Sequence, residues 1–152
     1  MNLLLALLIV FSNPSDKTRL SDGQVKIVDP WMRVGAQGQA TGLFFKIENN
    51  SDKADTLYKV EFEPAGKIEI HETYDGGDDM MGMREVGQIV IPSKSTFELK
   101  PGAHHVMLMK LKQDIKKGYV GEFTLHFKKA GKIMIKAEAK EMMKKQTMEH
   151  QH

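Results

Sequence analysis

Residues 104–111 read His-His-Val-Met-Leu-Met-Lys-Leu, with His105, Met107 and Met109 at a spacing of two. Imidazole nitrogen and thioether sulfur are both metal donors. Alternate side chains of a β-strand share one face. As a strand, this run therefore puts His105, Met107 and Met109 on one side and His104, Val106 and Leu108 on the other. Both sides are largely apolar, which predicts a strand buried on both faces. Methionine is also an ordinary core filler, so the run alone leaves packing and ligation both open.

A second segment, Lys-Ile-Glu-Ile-His-Glu-Thr-Tyr at 67–74, places Ile68 and Ile70 on one face and Lys67, Glu69 and His71 on the wetter one. The polar loop Asp75–Asp79 follows, then Met80, Met81 and Met83 around Gly82. Apolar side chains in a glycine-bearing loop either cap the core or act as soft ligands. Thioether with imidazole suits Cu(I). Zinc favours imidazole with thiolate, and calcium an all-oxygen shell. The Asp75–Asp79 run lacks the D-x-D-x-D-G spacing of a calcium loop and reads as a solvated turn. His126, between Leu125 and Phe127, reads as structural. Met148, His150 and His152, with Met142 and Met143, make the last residues either a second copper site or a solubilising tail.

Composition narrows the chemistry. The chain has 152 residues, enough for one domain with its own core. It carries 22 basic and 20 acidic residues for a net charge of +2, too balanced to argue for a nucleic-acid partner. The absence of cysteine removes disulfides, zinc-thiolate and iron–sulfur sites and the thiolate of a blue-copper centre, whereas methionine is abundant at 11. No Gly-x-Ser-x-Gly or phosphate-loop pattern is present, and the protein is not expected to be an enzyme.

The elements that must position these residues are short strands. Val25–Val28, Gly42–Glu48, Thr56–Phe62, Lys67–Thr73, Glu85–Ile91, Thr96–Leu99, the 104–111 run, Tyr119–Phe127 and Lys132–Ala139 are each bounded by Gly, Pro, Asn or Asp. About nine strands at near-regular spacing predict an all-β sandwich or barrel. A short helical piece is expected at most near Glu141. Lys116-Lys117 and Lys128-Lys129 read as solvated turns. Residues 1–20 divide off as a signal peptide or apolar segment with a linker: Leu3 to Phe11 matches a secretory h-region and is too short to span a bilayer. Residues 21–139 form the β-domain and 140–152 a flexible tail.

Together these residues resemble the periplasmic copper chaperones of the PCuAC family, whose motif is H-x10-M-x21-H-x-M. Met83 and His105 are separated by the family's 21 residues, and His105-Val106-Met107 supplies H-x-M. Between His71 and Met83 lie 11 residues, one more than the family pattern, so Met81 or Met80 stand as substitutes for Met83. The phrases KIEIHET, MGMREV, FELKPGAHHVMLMKLK, FTLHFKKAGKI, DPWMR and TGLFFKIENNSDKADTL extend the resemblance over residues 24–138. It implies a cupredoxin-like or immunoglobulin-like antiparallel β-sandwich. It implies His71, Met83, His105 and Met107 as Cu(I) ligands, with Met109 packing nearby. It further implies a monomeric metallochaperone in the periplasm, its mature domain not inserted in the membrane. Copper would pass to the Cu(A) centre of cytochrome c oxidase, through subunit II or a thiol-containing copper assembly protein. Two rivals differ in class: a secreted β-sandwich interaction module with a methionine-rich docking patch, and a copper redox enzyme, for which the body of the chain offers few histidines.

Overall fold

The computed structural model describes residues 23–142. The apolar segment and linker at 1–20, and Met143, Met148, His150 and His152 of the tail, lie outside the described residues. Within them the chain forms ten strands: β1 (Val25–Arg33), β2 (Thr41–Asn49), β3 (Asp55–Glu61), β4 (Ala65–Asp75), β5 (Met81–Glu85), β6 (Ile89–Ile91), β7 (Ser95–Leu99), β8 (His105–Leu111), β9 (Val120–Phe127) and β10 (Gly131–Lys140). The turns between them are supplied by Gly, Pro, Asp and Asn, as the sequence predicts. Among the described residues there is no helix, and Glu141 follows β10 without a helical turn.

The strands run in the order β5-β4-β8-β2-β1-β10-β9-β3-β6, with β7 also pairing to β2. This all-β sheet folds over into a sandwich around one apolar core. The core takes Met32 from β1, Leu43 and Ile47 from β2, Leu57 from β3, Ile91 from β6, Leu99 from β7, Val106 and Leu108 from β8, and Phe123, Leu125 and Phe127 from β9. Each such side chain contributes about 1.5–3 kcal/mol by leaving water. Period-two alternation is what turns these residues inward together.

Strand β2 organises the site end of the molecule. Thr41–Leu43 pair with β8, while Phe45–Asn49 pair with β7, so β7 and β8 lie end to end along one edge of β2. The Lys100–His104 turn between them is closed by backbone bonds Lys100 N to His104 O (2.9 Å) and Ala103 N to Lys100 O (3.1 Å). That turn is held beside Phe44.

The structure adjusts four expectations. First, β1 continues through Asp29-Pro30 to Arg33. The register slips between Val28 and Trp31, and Asp29 takes a φ of 51°, so the proline sits in a bulge rather than ending the strand. Second, β1 pairs with β10 in parallel (Trp31 with Glu138, Arg33 with Lys140), the one exception to antiparallel pairing among the described strands. Third, the expected strand Glu85–Ile91 is two strands, broken where Gly87 adopts a φ of 72°. Fourth, β8 is fully buried on one side at its centre, while the other side is buried at His105 but opens at Met107 and Met109. Val106 and Leu108 are fully buried, whereas Met107 and Met109 are partly exposed.

Candidate metal centre

The β4–β8 register sets the geometry. His71 lies directly opposite His105, Glu69 opposite Met107 and Lys67 opposite Met109. Directly opposed residues of an antiparallel pair share a face, so these side chains all project from one surface of the sheet. The rings of His71 and His105 stand 5.8 Å apart, centroid to centroid, edge to face.

The methionines at 81 and 83 belong to a strand, not a loop. β5 pairs back on β4 with Met83 opposite Thr73 and Met81 opposite Asp75. Met83 is thus one diagonal step from His71 on the same face, within reach of a long side chain, and Met81 is two residues further out. Met80 precedes β5 and helps close the turn: its N–H donates to Gly77 O (3.0 Å) and its carbonyl accepts from Gly76 N–H (2.7 Å). Exposure is 59% for Met83, 66% for Met81 and 69% for Met80.

Met81, Met83, Thr73, His105 and Met107 line one cleft of about 350 Å³, whose remaining walls come from Arg33, Ala40–Gly42, Phe44 and the Pro101-Gly102 turn. Phe44 backs His105 at 6.4 Å between ring centroids and packs on Trp31 at 4.6 Å. Gly42 lies opposite Met107, and a Cβ there would meet the Phe44 ring at 2.7 Å. A larger cleft of about 540 Å³ between β3 and β4 is lined by side chains such as Lys59, Glu61, Lys67 and Glu85, with no imidazole or thioether.

Each histidine has one ring nitrogen hydrogen-bonded to a protein acceptor. His105 is 6% exposed and its Nδ1–H donates to Ala103 O at 3.0 Å. A carbonyl only accepts, so the proton sits on Nδ1 and the lone pair on Nε2. Burial, opposed by that hydrogen bond and aided by the nearby His71, His104 and Arg33 charges, holds His105 below the ordinary 6.5, favouring the neutral ligating form. His71 Nε2–H donates to Glu69 Oε2 at 2.7 Å. Lys67 first, then His71, keeps the Glu69 carboxyl below the ordinary 4.5 and therefore ionised. The remaining His71 nitrogen, Nδ1, is buried and has no hydrogen-bond partner among the described residues. A buried ring nitrogen without a partner is costly in an ordinary core. A carboxylate on the far nitrogen is how metal-ligating histidines are oriented.

The other side of the hairpin braces β5. Glu72 accepts from Arg84 across the strands, Arg84 lies over the Tyr74 ring at 5.0 Å, and His104 Nε2 is 3.3 Å from Glu72 Oε2. Tyr74 in turn lies across Gly82, where a Cβ would come within 2.5 Å of the ring.

Register puts His71, Met83, His105 and Met107 on one face of the sheet; Met81, Met83, His105 and Met107 line the cleft, and His71 stands beside His105 without lining it. Met80 stays on the turn and Met109 outside the cleft. Among the described residues no three His, Asp or Glu side chains form a metal cluster. Asp75–Asp79 is an exposed turn, Asp75 Oδ1 accepting from Gly77 N–H at 2.9 Å. His126 is buried at 7% exposure and bonded to Glu61 at 2.8 Å, a structural role. The Lys116-Lys117 and Lys128-Lys129 pairs are exposed. Sequence reasoning missed Glu69, although its spacing of two from His71 on the wetter face was a usable signal. It also missed Arg33 and Phe44, which reach the cleft from distant segments and leave no local signal.

Comparison with known proteins places this geometry among relatives. The family model "Putative lipoprotein LpqE-like" matches residues 25–139. An uncharacterized protein of Rickettsia prowazekii is 30% identical over 123 residues, spanning 78% of this chain and 67% of its own length. A protein of Leifsonia xyli named as a lipoprotein is 30% identical over 108 residues, 70% of this chain but 63% of its own length, less than two thirds. Among solved structures, the apo PCuAC domain from PmoF1 superposes with a TM-score of 0.68 at 30% identity, covering 79% of this chain and 96% of the domain. The copper-bound PCuAC domain from PmoF2 gives 0.66 at 26%, covering 79% and 95%. Cu(I)-bound DR1885 from Deinococcus radiodurans, at 0.62 and 23% identity over 84% of this chain and 87% of its own, shares the fold.

Proposed function

Because the chain belongs to the LpqE-like family, of the PCuAC type, we propose that it is a copper metallochaperone that carries Cu(I) in the cleft between β4, β5 and β8. His71 through Nδ1, His105 through Nε2, and the sulfurs of Met83 and Met107 are the ligands of this reading. The observation that carries it is the cross-strand pair His71–His105 on the methionine-bearing face, with the His71 Nδ1 atom buried and without a partner among the described residues. The copper-bound state of a similar PCuAC domain supports the same cargo.

Soft, neutral donors favour the monovalent ion, and no thiol is needed. The site is open at the β5 side, where Met83 and Met81 are exposed, so bound copper can be approached by a receiver without unfolding the core. Such access suits a carrier. The chain is read as acting in the periplasm, in keeping with the lipoprotein name of its family. Its copper is read as bound for the Cu(A) centre of cytochrome c oxidase, by way of subunit II or a thiol-containing copper assembly protein. A second copper on Met148, His150 and His152 belongs to the same reading.

Titration against a coloured Cu(I) probe complex tests the proposal. The wild-type protein should strip copper from the probe, and the Met83→Ala/Met107→Ala variant should fail at the same concentration. X-ray absorption on the loaded protein should count both sulfur and nitrogen neighbours. Equal copper uptake by the two proteins would end the reading and leave the docking-patch alternative.

A further inference from the structure

The donor side chains proposed for copper are neutral. Among the residues that line their cleft, the one permanent charge belongs to Arg33, at the end of β1. Its Nε is buried without a hydrogen-bond partner among the described residues. Its Nη2 lies against the sulfur of Met142, which carries no charge. Among the described residues no carboxylate forms an ion pair with it. The carboxylates nearest the cleft by register do not offset it. Glu69 is paired with Lys67 and, with Glu85, lines the larger cleft between β3 and β4. Asp75, opposite Met81, is exposed at the turn, where water screens it.

Donor type alone does not separate the ions that could enter. Imidazole binds zinc and oxidised copper as well as Cu(I). A positive charge in the wall sorts them by a different property. Coulomb repulsion is proportional to the charge of each partner, so Arg33 repels a divalent ion twice as strongly as a monovalent one at the same place. Phe44, packed on Trp31 and backing His105, lines the wall with apolar rings in place of water, which leaves that repulsion less screened. A guanidinium keeps its proton throughout the physiological range, so the charge is always present.

We infer that Arg33 is a specificity-determining residue of the cleft: its uncompensated charge selects monovalent over divalent cations. This rests on the copper-carrier reading above and adds the means by which competing ions are refused. Arg33 acts through space and makes no bond to the metal. Cu(I) and Zn(II) share a filled d shell, as do Ag(I) and Cd(II), so each pair differs chiefly in charge and reads the filter directly.

The test measures both pairs on the full chain by competition against coloured probe complexes. Uptake by Met83→Ala/Met107→Ala is subtracted, so that ions held elsewhere do not count. The readout is the ratio of the two dissociation constants within each pair. Arg33→Gln should tighten the divalent ion more than the monovalent one. The preference should fall about tenfold, the effect of one unit charge about 12 Å away at an effective dielectric of about 20. Arg33→Lys should keep most of the preference. Ala40→Lys, which adds a second cation at an exposed position on the cleft wall, should raise it. A preference unaltered by Arg33→Gln in either pair would overturn the inference. So would a fall that comes only from weaker monovalent binding, the mark of a structural role. If Arg33→Gln misfolds, Ala40→Lys decides the matter, and an unaltered preference there overturns the inference as well. Failure of the wild type to take up Cu(I) at all would instead overturn the carrier reading.

Discussion

His71 and His105 are direct cross-strand partners, and their rings meet edge to face at 5.8 Å. Each ring has one nitrogen hydrogen-bonded to a protein acceptor, His71 Nε2 to Glu69 and His105 Nδ1 to Ala103. The other nitrogen of His71, Nδ1, is buried without a partner among the described residues, and both histidines belong to the face that also carries Met83 and Met107. Ala103 O additionally accepts from Thr73 N–H at 3.2 Å, tying the turn before β8 to the strand that carries His71. Preorganisation of this kind leaves little ordering to be done when a metal arrives.

Register separates the two candidate methionines of β5. Met83→Ala should weaken Cu(I) affinity by about tenfold or more, roughly 1.4 kcal/mol. Met81→Ala, opposite Asp75 and farther from His71, should cost less than about threefold, or roughly 0.7 kcal/mol. Competition against a Cu(I) probe measures both. A larger loss from Met81→Ala would give Met81 the ligand position.

Glu69 orients His71 and should matter without touching the metal. Glu69→Gln keeps the size but turns a charged acceptor into an amide, and outer partners of this type are worth about 10–100-fold in metal affinity. The same competition assay reads it. An affinity unchanged by Glu69→Gln would mean that His71 is held by packing alone.

Gly82 exists for the Tyr74 ring. In Gly82→Ala the new methyl would lie 2.5 Å from that ring, and overpacking of this sort costs about 1–3 kcal/mol. Faster amide exchange across β5 and weaker copper binding should accompany it. Adding Tyr74→Ala should relieve most of the exchange effect. If the double variant exchanges as fast as Gly82→Ala alone, the ring is not the obstacle.

The Glu61–His126 contact links stability to pH away from the cleft. The hydrogen bond from His126, then Lys59, holds the Glu61 carboxyl below its ordinary 4.5. A carboxyl lowered on folding stabilises the protein above its unfolded-state value and loses that contribution as pH falls through the lower folded-state value. Urea denaturation should therefore find Glu61→Gln less stable than wild type near about pH 7, with the gap closing by about pH 3. A gap that stays constant over this range would rule out the linkage.

Much of the fold could be read directly from residue order. Alternation in KIEIHET and in HVMLM assigned each side chain to the correct one of two faces, and Gly, Pro, Asn and Asp marked most strand ends. Errors fell where tertiary packing overrides local preference. Pro30 was absorbed into a bulge because β2 continues to pair on both sides of it. The Met81–Glu85 stretch became a strand because β4 offers an open edge and Arg84 bonds to Glu72 across it. Neither partner is visible from the local sequence.

The sequence by itself determined the kinds of donor available: imidazole and thioether in two segments, thiolate nowhere, and His71 on the wetter face. Tertiary structure alone decided that residue 71 faces residue 105, that Met83 is nearer than Met81, and that Arg33 and Phe44 close the cleft. The physical reason is that a period of two settles which face a side chain takes, a property of one strand. The identity of its neighbour depends on register between strands, which is set by turns and by a core assembled from the whole chain.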